Sequence, residues 1–316
     1  MNKKVVVLGG GKGISYLLAG LKDFPLDITA VITVADNGKS TGKLREEFHI
    51  PAVGDVRKVI TSMSGSDETI KKMLEYRFHT TSDLDGHALG NLILTSLLDI
   101  TGSLKSAIEE LSILLDVKSN IFPLTEDKNI TLMGEATDGS IIEGEEMITK
   151  SPKKIKRLFY KEEPNVLKEV ITAINEADLV LLSMGSLYTS LFPNLLSKKV
   201  ITALDKTKSP IMYVCNIVTQ PGETDNFTVS DHVNLINEYL GKHKLDVVIA
   251  SNSPISKEMA EKYACEERKD PVKIDYAVLK ALDVEFIEAD LLTIADDTLK
   301  HHSQKLSSLI FSYLMR

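Results

Sequence analysis

The sequence has no tryptophan and only two cysteines, Cys215 and Cys265, far apart and outside any C-x-x-C pair. That excludes a disulfide scaffold and a thiolate zinc site, and suits a reducing compartment. Positive charge is not in excess: 37 Lys and Arg stand against 45 Asp and Glu, a net charge of −8. Such a balance argues against general nucleic-acid binding and against an anionic membrane surface. No apolar run reaches transmembrane length. The N-terminus enters a strand directly, without a signal-peptide pattern, so a cytoplasmic location is expected. Internal repeats and low-complexity tracts are missing as well. What remains is a 316-residue chain with 43% hydrophobic residues, enough for one large α/β domain or two ordinary ones. The organisation expected here is a single domain over 1–316.

That domain is organised around its first strand. Lys3-Lys4-Val5-Val6-Val7-Leu8 is a short β-branched run that reads as a buried parallel strand. Gly9-Gly10-Gly11-Lys12-Gly13 follows at once, and helical spacing begins at Ile14. A strand, a tight glycine turn and a helix N-terminus make an anion site, because backbone N–H groups and the helix dipole favour negative charge there. The dinucleotide fingerprint G-x-G-x-x-G would need glycine at Ile14, so the match is partial. The P-loop pattern has a tail in Gly38-Lys39-Ser40, but its first glycine would fall at Thr33.

Further strands repeat the arrangement. Ile28 to Val34 ends in Ala35-Asp36-Asn37-Gly38-Lys39-Ser40-Thr41-Gly42. Asp36 stands where dinucleotide folds bind a ribose hydroxyl; it equally suits a helix N-cap. Lys39 and Ser40 can hold phosphates as a point charge and a hydroxyl donor. Asp55 reads as the N-cap of the next helix. Arg57, in its first turn, is misplaced for the dipole, so it answers a phosphate or pairs with Asp55 or Glu46. His87 and Asn91, four apart, share one face of a helix start. Metal ligands at suitable spacing are not evident.

Short alternating runs flank Thr137-Asp138-Gly139, which predicts a hairpin excursion near 128–146. The basic stretch from Lys150 to Lys161 reads as a solvated face. Asp178 to Leu182 then leads into Gly185, Ser186, Tyr188 and Thr189. Pro210 to Asn216 leads into Thr219 and Gln220, whose amide and hydroxyl, with those of Asn216, suit a base or a sugar. Asp246 to Asn252 is a fifth strand. Ligands of open α/β sheets bind at such carboxyl ends. The expected fold is therefore α/β: a Rossmann-like three-layer α/β/α arrangement with a mostly parallel sheet and a small antiparallel hairpin excursion. Ser186 lies outside a G-x-S-x-G elbow and is not assigned as a nucleophile.

Six segments in order carry a family resemblance: Gly9 to Gly13, Ala35 to Gly42, Gly54 to Arg57, Gly86 to Asn91, Gly185 to Ser190 and Cys215 to Thr224. Over roughly residues 3 to 252 the chain resembles the gluconeogenesis-factor (YvcK) branch of the CofD-like family. The resemblance implies a bacterial protein needed for growth and cell shape on gluconeogenic carbon. It also implies a UDP-sugar ligand such as UDP-N-acetylglucosamine, without established catalysis. The related branch transfers a phospholactyl group with magnesium, so a magnesium-dependent transferase stays open, as does an NAD-type dinucleotide-binding protein. Both an assembly of like subunits and a regulatory protein partner are compatible with this reading. The sequence departs from the family pattern at Lys12, Asn37, Lys39 and Met184, where Thr, Asp, Gly and Pro are usual. Losing a carboxylate at 37 weakens metal-assisted transfer, and adding Lys12 and Lys39 strengthens phosphate charge. Both changes favour binding over chemistry.

Overall fold

The computed structural model describes residues 2–295 and 297–316. Its main sheet has seven strands: β1 (Lys3–Gly9), β2 (Leu26–Ile32), β3 (Asn120–Pro123), β7 (Leu179–Leu182), β8 (Ile211–Val214), β9 (Val247–Ser251) and β10 (Glu285–Ala289). Between β3 and β7 the chain forms β4 (Leu132–Ala136), β5 (Ile141–Glu143) and β6 (Ile155–Tyr160); after β10 it forms a hairpin of β11 (Leu292–Ala295) and β12 (Thr298–His301). The order across the main sheet is β10-β9-β8-β7-β1-β2-β3, with every neighbouring pair parallel.

Residue alternation explains why this sheet is covered on both sides. Val5 and Val7 join one apolar cluster, whereas Val6 and Leu8 join the other. The first cluster takes in helices Gly11–Leu21, Gly54–Met63 and Ser303–Leu314. The second takes in Lys168–Glu176, Lys198–Leu204 and Val229–Tyr239. Three layers result, and a continuous apolar strand such as β1 is the pattern a doubly covered parallel sheet requires. The chain reverses its direction of travel at β1, which lies between β2 and β7. That reversal is the topological switch point, where the loops on either side diverge and leave a crevice.

The hairpin predicted around Asp138-Gly139 is present as β4 and β5, but the excursion is larger. It gains a third strand, β6, paired to β4 from Leu132↔Tyr160 to Ala136↔Ile155. The expectation of a merely solvated face at 150–161 is thus corrected. Ile155 and Leu158 turn inward, while Lys156 and Arg157 face solvent and pair with Glu135. Among the described residues no helix is long and apolar enough to cross a membrane.

Candidate functional site at the carboxyl edge of the sheet

The glycine turn lies between β1 and its helix as expected. Gly11 has φ +63°, a left-handed conformation that glycine adopts without strain. A Cβ on Gly13 would collide with the Met184 carbonyl, so glycine there lets the helix approach the turn after β7. One feature differs from the expectation of outward N–H groups. The Gly11 N–H donates to Asp55 Oδ2 at 2.7 Å, and Asp55 Oδ1 accepts from Lys58 at 2.8 Å. Asp55 is therefore not the N-cap of its helix: Val53 holds that position, and the carboxylate crosses to the glycine turn.

The second loop is built by helix Lys39–Phe48, capped in sequence by Gly38. Asp36 accepts from the Gly38 N–H at 2.9 Å. Asn37 Oδ1 accepts from the Glu146 N–H at 2.9 Å, which ties the loop to the excursion. Arg45 adds a second tie, donating to the carbonyls of Asp36 and Ile130. Lys39 has φ +41°, unfavourable for a residue with a Cβ. Its side chain is exposed, as is that of Lys12, and neither takes part in an ion pair among the described residues.

Four of the expected residues meet in one buried network. Arg57 Nε donates to Asn91 Oδ1 at 3.3 Å, Asn91 Nδ2 donates to Ser40 Oγ at 3.1 Å, and Ser40 Oγ meets His87 Nδ1 at 3.1 Å. Arg57 pairs with neither Asp55 nor Glu46. Its stem lies against Gly90, and burial lowers its guanidinium pKa. The network fixes Ser40 at the start of its helix, and so fixes the loop that carries Lys39.

After β7 the chain makes a π-helix, Leu187–Leu191, with Ser186 as its cap. Such turns recur at functional sites. Ser186 Oγ accepts from the Thr189 N–H at 3.0 Å and donates to the Glu223 carboxyl. The Asn216 amide is committed: Oδ1 accepts from the Gly185 N–H and Nδ2 donates to the Gly185 carbonyl, each at 2.8 Å. Thr219 is buried, and its Oγ1 accepts from the Asp270 N–H at 2.9 Å. Both side chains hold loops through these bonds. Gln220 keeps a half-buried side chain. The Tyr188 ring belongs to the core beside Phe192, and burial pushes its phenol pKa up.

Electrostatically the edge is acidic beneath its two lysines. Burial, then the neighbouring Asp55, raises the Asp36 pKa. Glu145 is pushed up to about 7 by burial and by Asp36 and Asp55, while Thr189 hydrogen-bonds to it. Burial pushes Glu223 up to about 7 as well. Neither glutamate was assigned to the site: Glu223 lies in the Cys215-to-Thr224 segment with no role given to it, and Glu145 belongs to no motif and arrives through tertiary packing. Among the described residues no three His, Cys, Asp or Glu side chains are grouped to hold a metal ion.

Comparison with known proteins agrees with this architecture. The family model for the 2-phospho-L-lactate transferase CofD matches residues 5–292. A gluconeogenesis factor of Halalkalibacterium halodurans is 42% identical over 309 residues, 98% of this chain and 95% of that protein. The gluconeogenesis factor of Bacillus subtilis is 39% identical over 312 residues, 98% of each. A crystal structure of a Bacillus halodurans protein superposes with a TM-score of 0.94 at 41% identity, covering 98% of this chain and 100% of the other.

Proposed function

Because the chain belongs to the gluconeogenesis-factor branch of the CofD family, we propose that it is a nucleotide-sugar-binding regulatory protein. Its ligand in this reading is of the UDP-N-acetylglucosamine type. Occupancy would adjust growth and cell shape under gluconeogenic conditions, in the cytoplasm. One observation carries the proposal. Lys12 and Lys39, exposed and outside any ion pair among the described residues, open the helices that follow β1 and β2 at the switch point. Cations at helix N-termini oppose the helix dipole. Placed beside a glycine turn, they are accounted for by an anion that takes charge from both. Calorimetric titration with UDP-N-acetylglucosamine tests this: saturable one-to-one binding that weakens with salt is expected, and absence of heat at millimolar ligand overturns it.

A magnesium-dependent phospholactyl-type transfer is the second reading, favoured by Asp36, Asp55 and Glu145 lying near one another: after burial, Asp55 raises the Asp36 pKa, and Asp36 and Asp55 raise that of Glu145. These residues fit magnesium poorly. A hard cation is held by grouped carboxylates, whereas among the described residues no three His, Cys, Asp or Glu side chains are grouped to hold one. Asn37, in place of a second acid in the loop, accepts from the Glu146 N–H through its amide oxygen. The proposed protein therefore binds its nucleotide-sugar without turning it over. Sustained product formation, with or without magnesium, would promote the transferase reading.

A further inference from the structure

The cavity between the ends of β8 and β9 has a volume of about 170 Å³. Asn216 and Ile217 line it from the loop after β8, Ala250 and Ser251 from β9, and Val229 and Val272 complete apolar walls. The loop carrying Val272 is held there by the Val272 N–H, which donates to the Ile217 carbonyl at 2.9 Å. We propose that this cavity seats the ring end of the ligand, so that the ligand lies over β7, β8 and β9. The inference rests on the nucleotide-binding reading above and adds its direction and its second anchor.

Three observations converge. The first is closure of the opposite side. From the glycine turn a ligand could run toward β2 and β3, where dinucleotide folds place a ribose on the acid after the second strand. Here that acid is Asp36, already bonded to the Gly38 N–H and shifted toward its neutral form by burial. The excursion covers this loop, pinned by Asn37 to Glu146 and by Arg45 to Ile130.

The second is size. A pocket for a whole small molecule has roughly 300–1,000 Å³, so this one accepts only part of a ligand. An apolar cavity of about 150 Å³ holds one benzene ring. The cavity therefore matches a single six-membered ring better than a fused pair.

The third is reach. Strands lie about 4.8 Å apart, so the cavity, two to three strands from β1, is roughly 10–14 Å from the glycine turn. A nucleoside 5′-diphosphate in extended form bridges that span. Asn216 belongs to both ends of the path. It lines the cavity, and its amide holds the Gly185 peptide beside the switch point.

Methyl-labelled protein titrated with UDP-N-acetylglucosamine tests the assignment without any mutation. Shift changes at Ile217, Val229 and Val272, together with Ile14 beside the glycine turn, are expected. Changes at Ile14 without changes at the three cavity residues overturn this inference and leave the nucleotide-binding reading standing. Absence of binding anywhere overturns both. A second arm uses Ile217→Trp, which fills the cavity from its wall. A folded variant that loses tenfold or more in affinity for UDP-N-acetylglucosamine, yet binds inorganic pyrophosphate as the parent does, supports the assignment. Unchanged affinity for the nucleotide-sugar in that folded variant overturns it. ADP-glucose should bind the unmutated protein at least tenfold more weakly than UDP-glucose; equal binding also overturns it.

Discussion

Asp55 holds the backbone of Gly11: its Oδ2 accepts the Gly11 N–H at 2.7 Å across 44 residues of sequence. The glycine turn thus presents a carboxylate close to where an anionic ligand is proposed to sit. The asparagine oxygen can keep the Gly11 bond while removing the charge. Asp55→Asn should therefore tighten UDP-N-acetylglucosamine severalfold in a buffer free of divalent cations, with the melt still cooperative. Weaker binding in the folded variant would show that the carboxylate itself serves the ligand.

The exposed lysines give the complementary experiment. Lys39→Ala and Lys12→Ala remove charge from side chains outside any ion pair among the described residues, so the apo melting temperature should hold. A hydrogen bond to a charged group contributes about 1.5–3 kcal/mol, less when exposed. Each variant should then lose roughly threefold to tenfold in affinity, and the salt dependence of binding should flatten. Titration at two ionic strengths measures both.

Asn216→Ala tests a loop. The substitution leaves both the N–H and the carbonyl of Gly185 without their partner, at a cost of about 1–3 kcal/mol. In a chain of this length that is a fall of a few degrees in the melting temperature of the ligand-free protein. Differential scanning calorimetry reads it directly. An unchanged melting temperature with lost affinity would return Asn216 to a direct role in ligand contact.

Glu145 and Glu223 are each pushed up to about 7 in the folded protein, mainly by burial. An unfolded glutamate ionises near 4.3. Between those values the folded state retains protons that the unfolded state has released, so stability falls as pH rises from about 4.3 to 7 and levels above that. Glu145→Gln and Glu223→Gln carry no ionisable group and should each reduce that slope and raise the melting temperature at pH 8. A pH series of thermal melts on the three proteins decides the matter. A parent slope that both variants preserve would place the proton uptake elsewhere.

Much of this edge was legible in the sequence because local rules act strongly there. β1 is a continuous β-branched run stopped by glycines, and Asp138-Gly139 sits where a hairpin must turn. β6 was hidden because Lys153, Lys154, Lys156 and Arg157 mask the inward positions of Ile155 and Leu158. β3 and β10 are short edge strands whose neighbours supply their apolar context. At the site, residue type predicted location better than role. Ser40, Arg57, His87 and Asn91 do meet, yet as a buried scaffold. Glu145 and Glu223 could not be read from spacing, since their environment depends on an excursion and a loop that fold over from elsewhere.

The helix that follows the glycine turn packs against residues encoded almost three hundred positions later. Ser303 Oγ donates to the Tyr16 carbonyl across 287 residues, and the absent Cβ of Gly20 admits both Ser303 and Ser307. During translation, therefore, the first βα unit leaves the ribosome long before its packing partner exists. Until helix Ser303–Leu314 docks, Leu17 and Leu21 lack part of their cover, a nascent surface that chaperones can hold. Contacts so distant in sequence also slow folding. A ribosome stalled before codon 303 should thus yield a chain whose first βα unit lacks this part of its cover.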